Sequence, residues 1–269
     1  MATKNTTYRK RFVCGDIHGS YLALIQVLER SGFDYDQDLL IPIGDIVDGW
    51  PDSFKVVEEL LKIKNRIDIV GNHDDWFIDF IDTGIHPEGW GQGGLPTAKS
   101  YAKAAGIELK VHPRTKGYGA YRYTTYIHNL NSGDIPEEHK KFFKGMHGHY
   151  KDEDNNIFVH GGFSRALSIN NTPRDFKMWD RKLFNQAMSA NKSENGLKFA
   201  EEVNQVFIGH TTTMAWDTTE PILAGGKVWN IDTGAGGGGV LTIMDIDTNE
   251  FFQSDAIPTL YPDYNNIRA

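Results

Sequence analysis

A chain of 269 residues that is 39% hydrophobic and 24% charged has the apolar content to bury a sizeable core, which excludes intrinsic disorder and collagen-like repetition. Its 28 Lys and Arg residues against 36 Asp and Glu leave a net charge of −8, and that balance gives no broad basic footprint for duplex DNA. The single cysteine, Cys14, excludes an intramolecular disulfide framework and a multi-cysteine zinc site, and suits a reducing, cytoplasmic setting.

Residues 1–11 are polar and basic, and nowhere do eighteen apolar residues run together, so the sequence predicts neither a signal peptide nor a membrane span. Short apolar runs, most of them β-branched or aromatic, predict buried strands at 12–14, 39–43, 67–70, 157–159, 206–208 and 228–231. Leu22, Ile25 and Leu28 recur at helical spacing after Gly19 and stop near Gly32, while Phe54, Val57, Leu60 and Leu61 do the same behind Pro51 and Asp52. The first seventy residues therefore read strand, helix, strand, helix, strand. The middle third predicts helices at 75–82, 97–105 and 136–143, and the alternating segment 117–126 predicts a strand. The last sixty residues return to short strands with hairpin-like turns, ending in 240–246 and a polar tail. The expectation is one α/β domain over 1–269, with mixed sheets covered by helices.

The chemistry sits where the strands end. The first runs into Gly15-Asp16-Ile17-His18-Gly19, a spacing that in extended backbone puts Asp16 and His18 on one side. The second ends in Gly44-Asp45-Ile46-Val47-Asp48-Gly49, the third in Gly71-Asn72-His73-Asp74, and later ones in His160-Gly161-Gly162 and Gly209-His210. Aspartate, asparagine and histidine without thiolates suit divalent manganese, iron, zinc or magnesium.

This order of pieces resembles the signature of the calcineurin-like metallophosphoesterases, specifically their phosphoprotein phosphatase branch. The stretches WGQGGLPTAKSY (90–101), IFVHGGF (157–163), Trp179-Asp180-Arg181, FIGHT (207–211) and IDTGAGGGG (231–239) look like its bacterial and phage members. The resemblance implies an αββα sandwich of two mixed β-sheets flanked by helices. It implies two divalent ions, manganese foremost, with Asp16 and His18 on one, Asp45 bridging, and Asn72, His160 and His210 on the other. A dimetal-bridging hydroxide would attack the phosphoester, His73 would act as general acid, and Asp48 would orient and charge its imidazole. Asn72 and His73 would also contact the substrate phosphate.

One departure stands out. The family's second motif usually reads Gly-Asp-x-Val-Asp-Arg-Gly, whereas this chain has Gly49-Trp50, so a phosphate-clamping arginine is missing. Arg181, Arg165 and Arg174 are the candidates to replace it. The leading expectation is a serine/threonine protein phosphatase acting on phosphorylated proteins or small phosphoesters. The alternatives are a hydrolase of dinucleoside polyphosphates or nucleotide phosphodiesters, and a non-catalytic phosphopeptide-binding scaffold. Neither duplex DNA nor a membrane is expected as a partner, and a cytoplasmic location is, that of the host if the chain is viral.

Other features have simpler readings. His147 and His149 fall in a variable turn, and solvent exposure accounts for His86, His112, His128 and His139. The glycines from Gly234 to Gly239 lack a following Lys-Ser/Thr and read as a turn between the final strands, not a P-loop. Trp50, Trp76, Trp90, Tyr118, Tyr121 and Tyr123 read first as packing and second as nucleobase-stacking groups, with Trp50 the base-stacking candidate should the substrate be a dinucleotide. Loops from 84 to 119 are expected to set specificity.

Overall fold

In the computed structural model, which describes residues 8–116, 123–191 and 197–264, strand–helix alternation begins as the apolar periodicity requires. It runs β1 (Arg11–Cys14), α1 (Tyr21–Arg30), β2 (Leu39–Pro42), α2 (Ser53–Leu61), β3 (Asn65–Arg66) and α3 (Asn72–Thr83). The middle of the chain adds α4 (Gly94–Ala104), a ribbon of β4 (Val111–Lys116) and β5 (Tyr123–His128), and α5 (Glu137–Lys144). Then come β6 (Tyr150–Lys151), β7 (Ile157–Phe158), α6 (Arg174–Trp179), α7 (Lys182–Ala190) and β8 (Val206–Ile208). The chain closes with β9 (Ile222–Ala224), β10 (Val228–Asn230), β11 (Thr242–Asp245), β12 (Phe251–Gln253) and α8 (Ile257–Leu260).

Two five-stranded sheets result, ordered β12-β11-β1-β2-β3 and β6-β7-β8-β10-β9, each mixing parallel with antiparallel pairs. Alternation along the strands divides the core into three layers. Phe12, Cys14 and Leu40 face the helices of the first sheet, whereas Val13, Leu39 and Ile41 face the second sheet. Ile157, Val206 and Ile208 pack outward under Leu183, Phe184 and Ala187 of α7, while Phe158 and Phe207 turn inward and stack at 5.1 Å. Each inward ring contributes about 1.5–3 kcal/mol of burial. The expected four-layer sandwich of two mixed sheets is borne out.

Two of the boundaries that differ from expectation lie next to the cleft. The strand expected at 67–70 lies earlier: regular pairing with β2 is confined to Asn65–Arg66, and 67–70 meets β2 only through the Ile67 and Ile69 N–H groups while Ile69 bridges to His147. Helix α3 starts at Asn72, before the expected 75, because Asp74 Oδ2 accepts the Gly71 N–H at 2.9 Å and caps the first turn. The segment 117–126 is described only from 123, where it pairs with β4; residues 117–122 lie outside the described residues. No described helix is long and apolar enough to cross a membrane.

Candidate active site

The ends of β1, β2, β7 and β8 and the start of α3 converge on a cleft of about 520 Å³. Asp16, His18, Asp45, Asn72, His73 and His210 line it, and His160 is fully buried behind Asp45 and Asn72. Seven described non-glycine residues take a left-handed φ, and four stand here: His18 (50°), Asp45 (52°), Asp48 (75°) and His210 (65°). Such backbones are uncommon outside glycine and persist only where the surroundings impose them.

Asp45 is the hub. Its Oδ2 lies 3.5 Å from His18 Nε2 and 3.4 Å from His160 Nε2, and its Oδ1 accepts the His73 N–H at 2.9 Å. Donor atoms of His18, Asp45 and His73 lie within 4.8 Å of one another, as do those of Asp45, His160 and His210. Asp45 thus belongs to both trios. His73 stands in the first where the resemblance puts Asp16, yet Asp16 borders the same cleft, and its Oδ1 is buried without a hydrogen-bond partner. His210 Nε2 is likewise buried and unpartnered.

The imidazoles are oriented as metal ligands are. The Nδ1–H of His18 donates to Val47 O at 3.2 Å and that of His160 to Ile43 O at 2.8 Å, which makes Nε2 the atom each ring would present to a cation. Burial works against a charged Asp45, but His160, His73 and His18 outweigh it and hold its pKa well below the carboxylate range. Burial, reinforced by Asp232 and Asp45, pushes Asp16 well above that range. Burial opposes charge on His160 too, yet Asp45 and Asp16 raise it to about 10, whereas burial and the neighbouring His160 lower His210 to about 3. Crowded carboxylates, orphaned buried donor atoms and pre-set tautomers fit divalent cations, whose binding would release those protons.

Asp48 is fully buried and saturated: its Oδ2 meets His73 Nδ1 at 2.7 Å, while its Oδ1 accepts from Trp90 Nε1 at 2.8 Å and Thr97 Oγ1 at 2.7 Å. Thr97 Oγ1 in turn accepts the Asp48 N–H. Thr97 and Trp90 lie in the 90–101 stretch noted in the sequence, but nothing there signalled that they grip Asp48. Asp74 was also missed: its Oδ1 accepts the Ile46 N–H and clamps the β2 loop, and burial with nearby Asp45 raises its pKa to about 8. Asp232 lines the cleft as well, and the strand-acid-glycine pattern of Ile231 to Gly234 repeats the signal that found the others.

The arginine candidates separate. Arg181 lines the cleft, its Nη1 donating to His210 O at 3.2 Å and Thr211 Oγ1 at 2.7 Å. Arg165 does not reach it, because its guanidinium is engaged by Gln186 Oε1 and Lys198 O beside α7; Arg174 pairs with Asp75. Gly49 takes φ 88°, a backbone on which an arginine would be strained.

Some of the simpler readings need correction and others hold. His139 is 1% exposed, held between Tyr101 OH and Glu58 Oε1, and His86 and His128 are half-buried against each other at 3.0 Å, so solvent exposure does not account for them. Trp50 is no base-stacking platform: it is buried, stacks on Tyr261, and donates to Ala235 O. Trp90 is buried against Phe77 and Phe80. His147 and His149 lie away from the cleft, His149 bonding Asn170 and Lys177. The 234–239 turn does border the cleft, through Gly234, Gly236, Gly237 and Gly238.

Comparison with known proteins agrees with this geometry. A 64-residue segment is 45% identical to a symmetrical bis(5'-nucleosyl)-tetraphosphatase of Buchnera aphidicola, covering 23% of each chain. A 72-residue segment is 38% identical to serine/threonine-protein phosphatase 1 of Salmonella typhimurium, covering 27% of this chain and 33% of that one. The matches therefore span a third or less of these curated relatives. A solved structure of a putative diadenosine tetraphosphatase superposes with a TM-score of 0.60 at 17% identity, over 93% of this chain and 95% of that one. A serine/threonine phosphatase from Saccharomyces cerevisiae gives 0.57 at 13%, over 99% and 85%; both likenesses are of fold. The calcineurin-like phosphoesterase family model matches residues 10–223. Since that match takes in Asp16, His18, Asp45, Asn72, His73, His160 and His210, the chain belongs to the calcineurin-like phosphoesterases, a family of two-metal enzymes.

Proposed function

We propose that the protein hydrolyses phosphate monoesters, with phosphoserine and phosphothreonine side chains of proteins as its leading substrates. The observation that carries this reading is the buried, fully bonded Asp48–His73 pair. An alkyl alcohol is a poor leaving group and must take up a proton as the P–O bond breaks, whereas a nucleotide leaves a phosphoanhydride as a stable anion. A proton donor held this firmly serves the first reaction. With Nδ1 engaged by Asp48, the Nε2–H of His73 is the group that gives its proton to the departing oxygen.

Asp16, His18 and Asp45 would hold one divalent ion, and Asp45, Asn72, His160 and His210 the second; when bound, the pair supplies an activated water and neutralises phosphoryl oxygens. Arg181 at the mouth orients the phosphoryl group in place of the arginine missing at Gly49. The absence of that clamp also favours a second reading, hydrolysis of a dinucleoside polyphosphate, the activity named for the Buchnera relative.

A side-by-side assay with manganese of a phosphoserine peptide against diadenosine tetraphosphate separates the two, with His73→Asn as the control for contaminating activity. Preferred phosphate release from the peptide, lost by roughly a hundredfold or more in His73→Asn, is the expected result. Preferred cleavage of the dinucleotide, indifferent to that substitution, would replace the first reading with the second.

A further inference from the structure

Helix α7 carries a second concavity outside the cleft. Lys182, Asn185, Gln186 and Ser189 stand three and four residues apart on one face of it and, together with Arg165, line a hollow of about 570 Å³. A smaller hollow of about 260 Å³ at the start of the helix is also bordered by Arg165, Lys182 and Gln186, so the two meet at these side chains. Arg165 is fixed there: its Nε donates to Gln186 Oε1 at 2.7 Å and its Nη1 to Lys198 O at 3.1 Å, which leaves Nη2 without a partner among the described residues. The exposed Lys182 ammonium has none among them either. No described carboxylate lines the larger hollow, and Asp180, beside the smaller one, has its oxygens engaged by the Lys182 and Leu183 N–H groups at 3.1 and 2.9 Å. In a chain of net charge −8, two cations lining one hollow without a facing acid make a local positive site.

One turn separates this site from the cleft. Between α6 and α7, Trp179 and Arg181 line the cleft, while Asp180 and Lys182 line the hollows. Consecutive Cα atoms are about 3.8 Å apart, so a peptide held by its phosphoryl group in the cleft crosses that turn within a few residues. We propose that Arg165 and Lys182 form a docking subsite for acidic side chains of a phosphoprotein substrate, a few residues away from the phosphorylated one. This rests on the reading of the protein as a phosphoprotein phosphatase, since only a polymeric substrate spans both places. The fixed guanidinium offers its Nη2 edge to a carboxylate, and the Lys182 ammonium and the Gln186 amide N–H groups add donors beside it. A basic segment is repelled at the same place. The subsite thus selects among phosphoproteins without touching the reacting atoms.

Phosphoserine peptides that differ only in carrying a run of aspartates or of asparagines a few residues from the phosphoserine, on one side or the other, test the subsite on the manganese-loaded protein. The aspartate peptide is expected to show a kcat/KM roughly fivefold higher on at least one side, chiefly through KM, with the advantage shrinking at high salt. Lys182→Ala and Arg165→Ala should each reduce that advantage, and Lys182→Glu should abolish it or turn it towards a lysine-flanked peptide, while hydrolysis of phenyl phosphate stays unchanged in all three. Equal kcat/KM for the two peptides in the unaltered protein, or a preference that survives all three substitutions, would overturn the proposal and leave the monoesterase reading standing. Release of phosphate from neither peptide would instead bring down the monoesterase reading. Fluorescence anisotropy of the labelled aspartate peptide then decides the subsite by itself: it stands if Lys182→Glu weakens binding, and falls if the peptide does not bind or binds both proteins alike.

Discussion

The two sheets contribute to the cleft in unlike ways. On the first, carboxylates at the cleft and buried behind it lace its loops together: Asp45 holds the His73 N–H, and Asp74 holds those of Ile46 and Gly71. The second sheet offers His160 and His210 at strand ends, tied across to the first through a few bonds each, His160 Nδ1–H to Ile43 O and its Nε2 to Asn72 and Asp45, and His210 N–H to Asp16 Oδ2. One side is a framework whose chemical groups are also its structural ones, and the other is docked onto it. Damage to the first should spread, and damage to the second should stay local.

The comparison breaks most sharply at Asp45. Asp45→Asn should lose both ions and roughly a thousandfold or more in rate, because one carboxylate belongs to both donor trios; metal analysis finding two ions in that variant would contradict its bridging place. His210→Gln should lose one ion and keep the other, with a rate loss of roughly a hundredfold and a melting temperature near that of the parent. A matching collapse of both ions would erase the distinction between the two sides. Thr97→Val removes the hydroxyl that donates to Asp48 Oδ1 and accepts its N–H, so it should slow alkyl-ester hydrolysis about tenfold at unchanged metal content, with Thr97→Ser restoring it. Unequal metal content in the valine variant would mean that Asp48 supports the ligands as well as His73.

The smallest effect lies outside both sides, at the His86–His128 contact against Trp90. Burial first, and the neighbouring ring second, lower the pKa of His86 to about 4, and burial lowers that of His128. The folded state therefore resists protons that the unfolded chain accepts near 6.5, so stability falls as pH drops from about 6.5 towards 4. Melting temperatures at pH 7 and pH 5 should differ by a few degrees more in the unaltered protein than in His86→Gln; an equal loss in both would remove this contact as a cause.

Much of the frame was legible because its strands are buried on both faces. Phe12 to Cys14, Leu39 to Ile41 and Val206 to Ile208 announce themselves by apolar runs alone. The converging strand ends were legible for the same reason, since a glycine-flanked Asp or His after such a run has little else to do. What escaped notice depends on partners far along the chain. Trp50 owes its burial to Ala235 and Tyr261, His139 its place to Glu58 and Tyr101, and Asp48 its grip to Trp90 and Thr97. Arg165 follows a ligand motif in sequence but turns away because Gln186 and Lys198 hold it. No local pattern encodes those pairings.

The left-handed backbones at His18, Asp45, Asp48 and His210 bear on how such a chain changes over generations. Each costs on the order of 1–3 kcal/mol relative to a relaxed conformation, and glycine would relieve most of it at all four places. At His18 and His210 selection for thermal endurance alone would thus favour drift to glycine, whereas at Asp45 and Asp48 the buried donors they satisfy oppose it. Such drift would dismantle the cleft before it disturbed a single residue of the core.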